Sequence, residues 1–240
     1  MRLFSRLLAS LGFGLVALSA AASPASPQNG QDYRTLDQPQ QTAPGNKVEV
    51  TEFFWYSCPH CNAFEPDLEA WVKKQGDKIN FKRVPVAFRD SFIPQQKLYY
   101  TLEALGQVDA LHKKVFRAIH VERQRLDTDN EIADFIGKQP GFDKKKFLDM
   151  YNSFAVQTKV RQATQLQAAY QVDGVPLLAV DGRYLTSPSI VGASIGNKPE
   201  PVLQSATFQV MDFLLAKAAK ERAPAAAAAA APAKEAAKKK

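Results

Sequence analysis

The run VEVTEFFWYSCPHC, Val48 to Cys61, ends on the only two cysteines of this 240-residue chain. Its first eight residues, Val48 to Trp55, are rich in β-branched and aromatic side chains and read as a buried strand. Beyond the cysteines, Phe64, Leu68, Trp71 and Val72 recur at helical spacing. Cys58 therefore falls at a tight strand-to-helix turn. Pro59 follows at the start of the helix, where its missing N–H leaves nothing unpaired, and Cys61 lies one turn further in. Pro66, inside the same helix, is expected to kink it.

The segment Lys78 to Phe88 alternates as a second strand, which makes a β-α-β unit. From there the pattern is helical only. Leu98, Leu102 and Leu105 mark one helix, and Leu111, Val115, Phe116 and Ile119 a second. Thr128 to Glu131 reads as a capping box ahead of Ile132, Phe135 and Ile136. Phe147, Leu148, Tyr151 and Phe154 mark another helix, and a longer one is expected over 156–170. A strand at Leu177 to Val180, an Asp181-Gly182 hairpin turn and a partner strand at Arg183 to Leu185 follow, then a helix over 200–217. The fold class is α/β: a mixed sheet interrupted by a helical block.

The ends differ from this body. Residues 1–22 read as a secretory leader, with Arg2 and Arg6, an apolar stretch from Leu7 to Leu18 and Ala20-Ala21-Ala22 as the cleavage site, so export is expected. Residues 23–46, rich in Pro, Gln and Ser, are expected to form an exposed arm. Residues 218–240 are Ala-, Pro- and Lys-rich, with nothing larger than Ala to build a core, and are expected to be a disordered tail. Arg2, Arg6 and the basic residues from Lys217 onward account for the whole net charge of +7. The remaining body is neutral, which argues against nucleic acid as a partner.

Three chemistries compete for Cys58 and Cys61. Zinc needs four ligands, and His112 and His120 are not at the spacing that a zinc finger uses. An inert disulfide over so short a loop constrains the unfolded chain little. A redox pair suits the position: the free N–H groups and positive end of the helix stabilise a thiolate at Cys58. Cys61, further from that end, is the expected buried, resolving sulfur. His60 can add a hydrogen bond or a positive charge beside the thiolate, or can simply be a solvated turn residue.

FFWYSCPHCNAFEP together with GVPLLAVDGRY resembles the thioredoxin fold. The Pro-His dipeptide between the cysteines and the helical insertion resemble the DsbA family of envelope thiol:disulfide oxidoreductases, as does GQDYRTLDQP near the amino terminus. The resemblance implies a thioredoxin-like domain made of residues 47–89 and 163–217, an inserted helical domain over 90–162 that packs over the cysteine face, and no cofactor. It implies a cis Val175-Pro176 bond that presents backbone to substrate, and a proton-moving role for Glu52 near the buried cysteine. Glu65 matches a second family acid, whereas the lysine that the family places near these acids aligns with Phe81, Lys82 being adjacent. The implied activity is a periplasmic, monomeric oxidase. It would donate the Cys58–Cys61 disulfide to newly exported proteins and be recharged by a quinone-linked membrane partner of the DsbB type. An isomerase, a reductase or a peptide-binding chaperone on the same fold are the alternatives. A Cys58 thiol lowered to about 4 would stabilise the reduced protein by roughly 4 kcal/mol at pH 7, so the reduced form is expected to be the more stable at neutral pH.

Overall fold

The structure is a computed structural model and describes residues 26–196 and 198–230, side chains beyond Arg222 excepted. The expected leader and its cleavage site lie outside the described residues. Among the described residues no helix is long and apolar enough to cross a membrane.

Five strands form one mixed sheet: β1 (Arg34–Thr35), β2 (Val48–Phe54), β3 (Ile79–Pro85), β4 (Leu177–Val180) and β5 (Tyr184–Thr186). Their spatial order is β1-β5-β4-β2-β3. β2 is fully buried, as its apolar run requires. It pairs in parallel with β3 and antiparallel with β4. Helix α1 (Pro59–Gln75) makes the crossover between β2 and β3 and contains Pro66. It ends at Gly76, whose N–H bonds to the Val72 carbonyl at a φ of 53°.

Helices α2 (Ile93–Ala104), α3 (Val108–His120), α4 (Asp129–Gly137), α5 (Lys144–Tyr151) and α6 (Phe154–Ala169) follow without an intervening strand. The Thr128–Glu131 capping box is formed at α4, and Asp143 and Ser153 cap α5 and α6. Cys58 and Cys61 share one apolar cluster with Leu98, Leu102, Leu111, Val115 and Phe116, so the helical block packs onto the cysteine face. A second cluster, with Phe64, Leu68, Trp71, Val210 and Leu214, joins α1 to the C-terminal helix. The expected domain boundary at 162/163 falls inside α6, which is continuous to Ala169.

The chain ends in α7 (Pro188–Ile195) and α8 (Glu200–Ala230). Two expectations about the ends are corrected. The arm is not uniformly exposed: Tyr33 and Leu36 are buried, and β1 extends the sheet through β5. Two apolar side chains in a polar run are too few to show a period, yet they suffice to seat a strand. The tail does not begin at residue 218, because Ala218 is fully buried and α8 continues past it.

Arg222 shows why the helix runs on. Its guanidinium donates to Asp181, to Thr42 and to the carbonyls of Gly45 and Lys47, tying α8 to the arm and the hairpin. The hairpin turn also needs its glycine: a Cβ on Gly182 would sit 2.2 Å from the Gln40 carbonyl oxygen. Replacing Arg222 with Ala removes charged hydrogen bonds from a mostly buried site. Urea unfolding is expected to show a loss of about 1.5–3 kcal/mol, with thiol chemistry unchanged.

Candidate active site

The local sequence places Cys58 as the N-cap of α1. Its backbone is extended, with φ −77° and ψ 118°, and Pro59 occupies the first turn. The Cys58 sulfur accepts the Cys61 backbone N–H at 3.4 Å and lies 3.5 Å from the Val175 carbonyl oxygen, to which the thiol donates. The Val175–Pro176 bond is cis. Two segments separated by 117 positions therefore meet at one sulfur.

The two thiols are electrostatically unequal. A hydrogen bond from Cys61 is the largest influence on Cys58. It outweighs burial and, with the N–H groups of Cys61 and His60 and the His60 charge, lowers the Cys58 thiol from 9.0 to about 6. Burial is the main reason that the Cys61 thiol is held well above its ordinary value, with the Cys58 hydrogen bond and the charges of Cys58 and Glu52 adding to it. Both cysteines are free thiols, and Cys61 is wholly inaccessible.

His60 is exposed and bonds through Nδ1 to Glu200 Oε1 at 2.8 Å, which raises its pKa. Glu200 opens α8, 140 positions away, and nothing local in the sequence pairs it with His60. Glu52 is fully buried at the centre of β2. Its partner is Arg83, whose Nε donates to Glu52 Oε2 at 3.0 Å while a terminal nitrogen donates to Glu65 Oε1 at 2.6 Å. The family's cation is thus supplied by neither Phe81 nor Lys82. Lys82 bonds to Glu49 instead. The parallel register sets Glu52 against Arg83 directly, a pairing that a gapless alignment does not reveal.

Burial pushes both carboxyls up, and Arg83 pulls both back. His112 extends the network. Its Nε2 lies 3.5 Å from Glu65 Oε2, and its Nδ1 bonds to the Tyr56 hydroxyl at 2.8 Å. Burial lowers the His112 pKa to about 3, so the ring is neutral at physiological pH. The expected site residues Glu52, Cys58, Pro59, His60, Cys61, Val175 and Pro176 all fall in this region. Arg83, His112, Tyr56 and Glu200 join them.

A cavity of about 610 Å³ runs from His60 past Val175 and Pro176 to Ile190 and Leu203. The Cys58 sulfur, beside the Val175 carbonyl that borders it, ionises readily, and the Cys61 sulfur is sealed beneath. A disulfide between them can be opened by an outside thiolate only at Cys58, and the electrons are received as a thiolate that the helix end stabilises. On a mixed sheet with a cis-proline loop, that asymmetry defines a thiol:disulfide oxidoreductase of the thioredoxin class.

The comparisons narrow the class. The DSBA-like thioredoxin domain matches residues 93–208. The thiol:disulfide interchange protein DsbA of Burkholderia cepacia is 50% identical over 215 residues, covering 89% of this chain and 95% of the relative. That of Bordetella pertussis is 45% identical over 189 residues, covering 79% and 88%. The crystal structure of Pseudomonas aeruginosa DsbA aligns with a TM-score of 0.71 at 38% identity, covering 82% of this chain and 95% of that one. The chain belongs to the DsbA family of thiol:disulfide interchange proteins.

Proposed function

We propose that the chain works in the periplasm as an oxidase of newly exported proteins, with Cys58 as the exchanging sulfur and Cys61 as the resolving one. A client thiolate attacks Cys58 of the Cys58–Cys61 disulfide and forms a mixed disulfide as the Cys61 sulfur leaves. A second client thiolate then attacks the client's own sulfur in that mixed disulfide. The client leaves oxidised, and the dithiol remains on the protein. Glu52 serves as the proton store for Cys61, whose thiolate is costly in its buried site. Val175 and Pro176 offer backbone to the client beside Cys58, and Pro59 opens the helix whose end, with His60, supports the thiolate. One chain carries all of these groups, and in this reading it acts as a monomer. A quinone-linked membrane partner of the DsbB type removes the two electrons.

The observation that carries the direction is the lowered thiol of Cys58 at the helix end, which stabilises the reduced form relative to one with an ordinary thiol and so favours handing the disulfide on. To test the division of labour, Cys58–client adducts are trapped with a Cys61→Ser protein that has been activated at Cys58 with a small disulfide. Adducts to a reduced, unfolded client are expected to accumulate through Cys58. The matching Cys58→Ser protein should form few or none through Cys61. Adduct formation at equal rates through the two sulfurs would remove the assignment.

A further inference from the structure

A second cavity, of about 440 Å³, is reached from the other end of the catalytic turn. Trp55 and Ser57, just before Cys58, line it, whereas His60, just after, lines the groove already described. Its floor is aromatic: Phe92 stacks on Trp55 with ring centroids 3.8 Å apart and 11° between planes. The Arg89 guanidinium lies 4.6 Å above the Phe92 ring, and Arg123 and Arg125 complete the wall. Asp127 is the one carboxylate of the lining, and it is bonded to Arg125 at 3.1 Å. Neither Arg89 nor Arg123 forms an ion pair among the described residues.

The loop that carries Arg123 is fixed in an unusual way. Arg123 has a φ of 60° and Leu126 a φ of 50°, left-handed values that side-chain-bearing residues rarely adopt. Leu126 is buried, Gln95 donates to its carbonyl, and the Gln124 N–H bonds to the Ala118 carbonyl, so the loop is anchored on both sides of its exposed arginines. Such strain persists only where the surrounding structure imposes it, and it concentrates at sites of recognition. The Trp55 indole N–H, buried in the same wall, has no acceptor among the described residues. Two guanidiniums without ion-pair partners and a flat aromatic floor match a carboxylate on a short aliphatic stem.

The geometry points to a recognition site for acidic residues that flank the reactive cysteine of a client polypeptide, an inference that rests on the oxidase reading above. A client bonded to Cys58 and leaving past Ser57 enters this cavity, and because each extended residue spans about 3.3–3.6 Å, the residues that meet the arginines are the near neighbours of its cysteine. The groove at Val175 and Pro176 then takes the chain on one side of the client cysteine, and the arginine pocket reads charge on the other.

The test uses the oxidised full chain and dithiol peptides that differ only in carrying Glu or Gln at the positions two to four residues from the cysteine. Neighbouring charge alters a peptide thiol by itself, so the readout is the ratio of the Glu-peptide rate to the Gln-peptide rate, compared between proteins. In an Arg89→Gln/Arg123→Asn variant that ratio is expected to fall about tenfold at low salt, with the Gln-peptide rate unchanged. The exposed pair Lys144→Gln/Lys145→Gln removes the same charge elsewhere and is expected to leave the ratio as in the unaltered protein. An unchanged ratio in the arginine variant, or an equal fall in the lysine variant, overturns the pocket while leaving the oxidase reading intact. Failure to oxidise either peptide overturns the oxidase reading and the pocket with it.

Discussion

At pH 9 the reduced protein is expected to resist denaturant better than the oxidised protein, and its relative stability to fall by about 3.5 kcal/mol as the pH is lowered to 5. The Cys58 thiol ionises at about 6 in the folded chain against 9.0 ordinarily. A depressed pKa stabilises the folded state fully above the unfolded value, and the gain is lost as pH falls through the folded one. At pH 7 the gain is about 1.4 kcal/mol, equivalent to about 30 mV in reduction potential, and near pH 9 it is about 3.5 kcal/mol. Still higher pH erodes it, because the unfolded Cys61 ionises while the folded one does not. Closing the four-residue disulfide loop stabilises the oxidised form by about 2 kcal/mol in the chain-entropy treatment. The two forms should therefore exchange order between about pH 7 and 8. This shifts the expectation drawn from a thiol at about 4, which put the reduced form ahead already at neutral pH. Urea unfolding of both forms across this range checks it. A stability difference that does not move with pH would mean that Cys58 carries no special thiolate.

Replacing Arg83 with Met is expected to destabilise the protein by about 3–5 kcal/mol at pH 8, because it leaves Glu52 and Glu65 buried without their cation. Both carboxyls are already raised by burial, and removing the guanidinium raises them further. Groups whose folded pKa lies above the unfolded value lose stability as pH rises, so the variant should recover toward pH 5. Adding Glu52→Gln to Arg83→Met removes one of the stranded charges and should restore part of the loss. Equal destabilisation at pH 5 and pH 8 would show that Arg83 acts through packing alone.

Local signals carried much of this fold. The Cys58 turn, the Thr128 capping box and the Asp181-Gly182 hairpin each rest on neighbouring residues, and each appears at its expected place. Helix α7 escaped notice because SPSIVGASI mixes small and β-branched residues without a helical period, although Ser187 was available as its N-cap. The site divides in the same way. Cys58, Pro59, His60 and Cys61 are adjacent in sequence and their chemistry follows from the helix end. Arg83 becomes visible only through the β2–β3 register, Glu200 only through the return of α8 to the cysteine face, and Arg222 only through contacts with an arm about 180 positions away. Ion pairs of that kind leave no periodic mark on either partner.

The central claim is that the Cys61 hydrogen bond and the N–H groups of the helix end make Cys58 an acidic thiol while Cys61 stays protonated. Thiolate absorbance in the ultraviolet, followed in the reduced protein as pH is raised, tests this directly. The predicted result is a single-thiolate rise centred near pH 6 in the unaltered protein, which keeps its amplitude in Cys61→Ser with its midpoint moved upward by loss of the Cys61 hydrogen bond, and which disappears in Cys58→Ser. A rise centred at pH 8.5 or above, or one that Cys58→Ser leaves in place, would contradict the account.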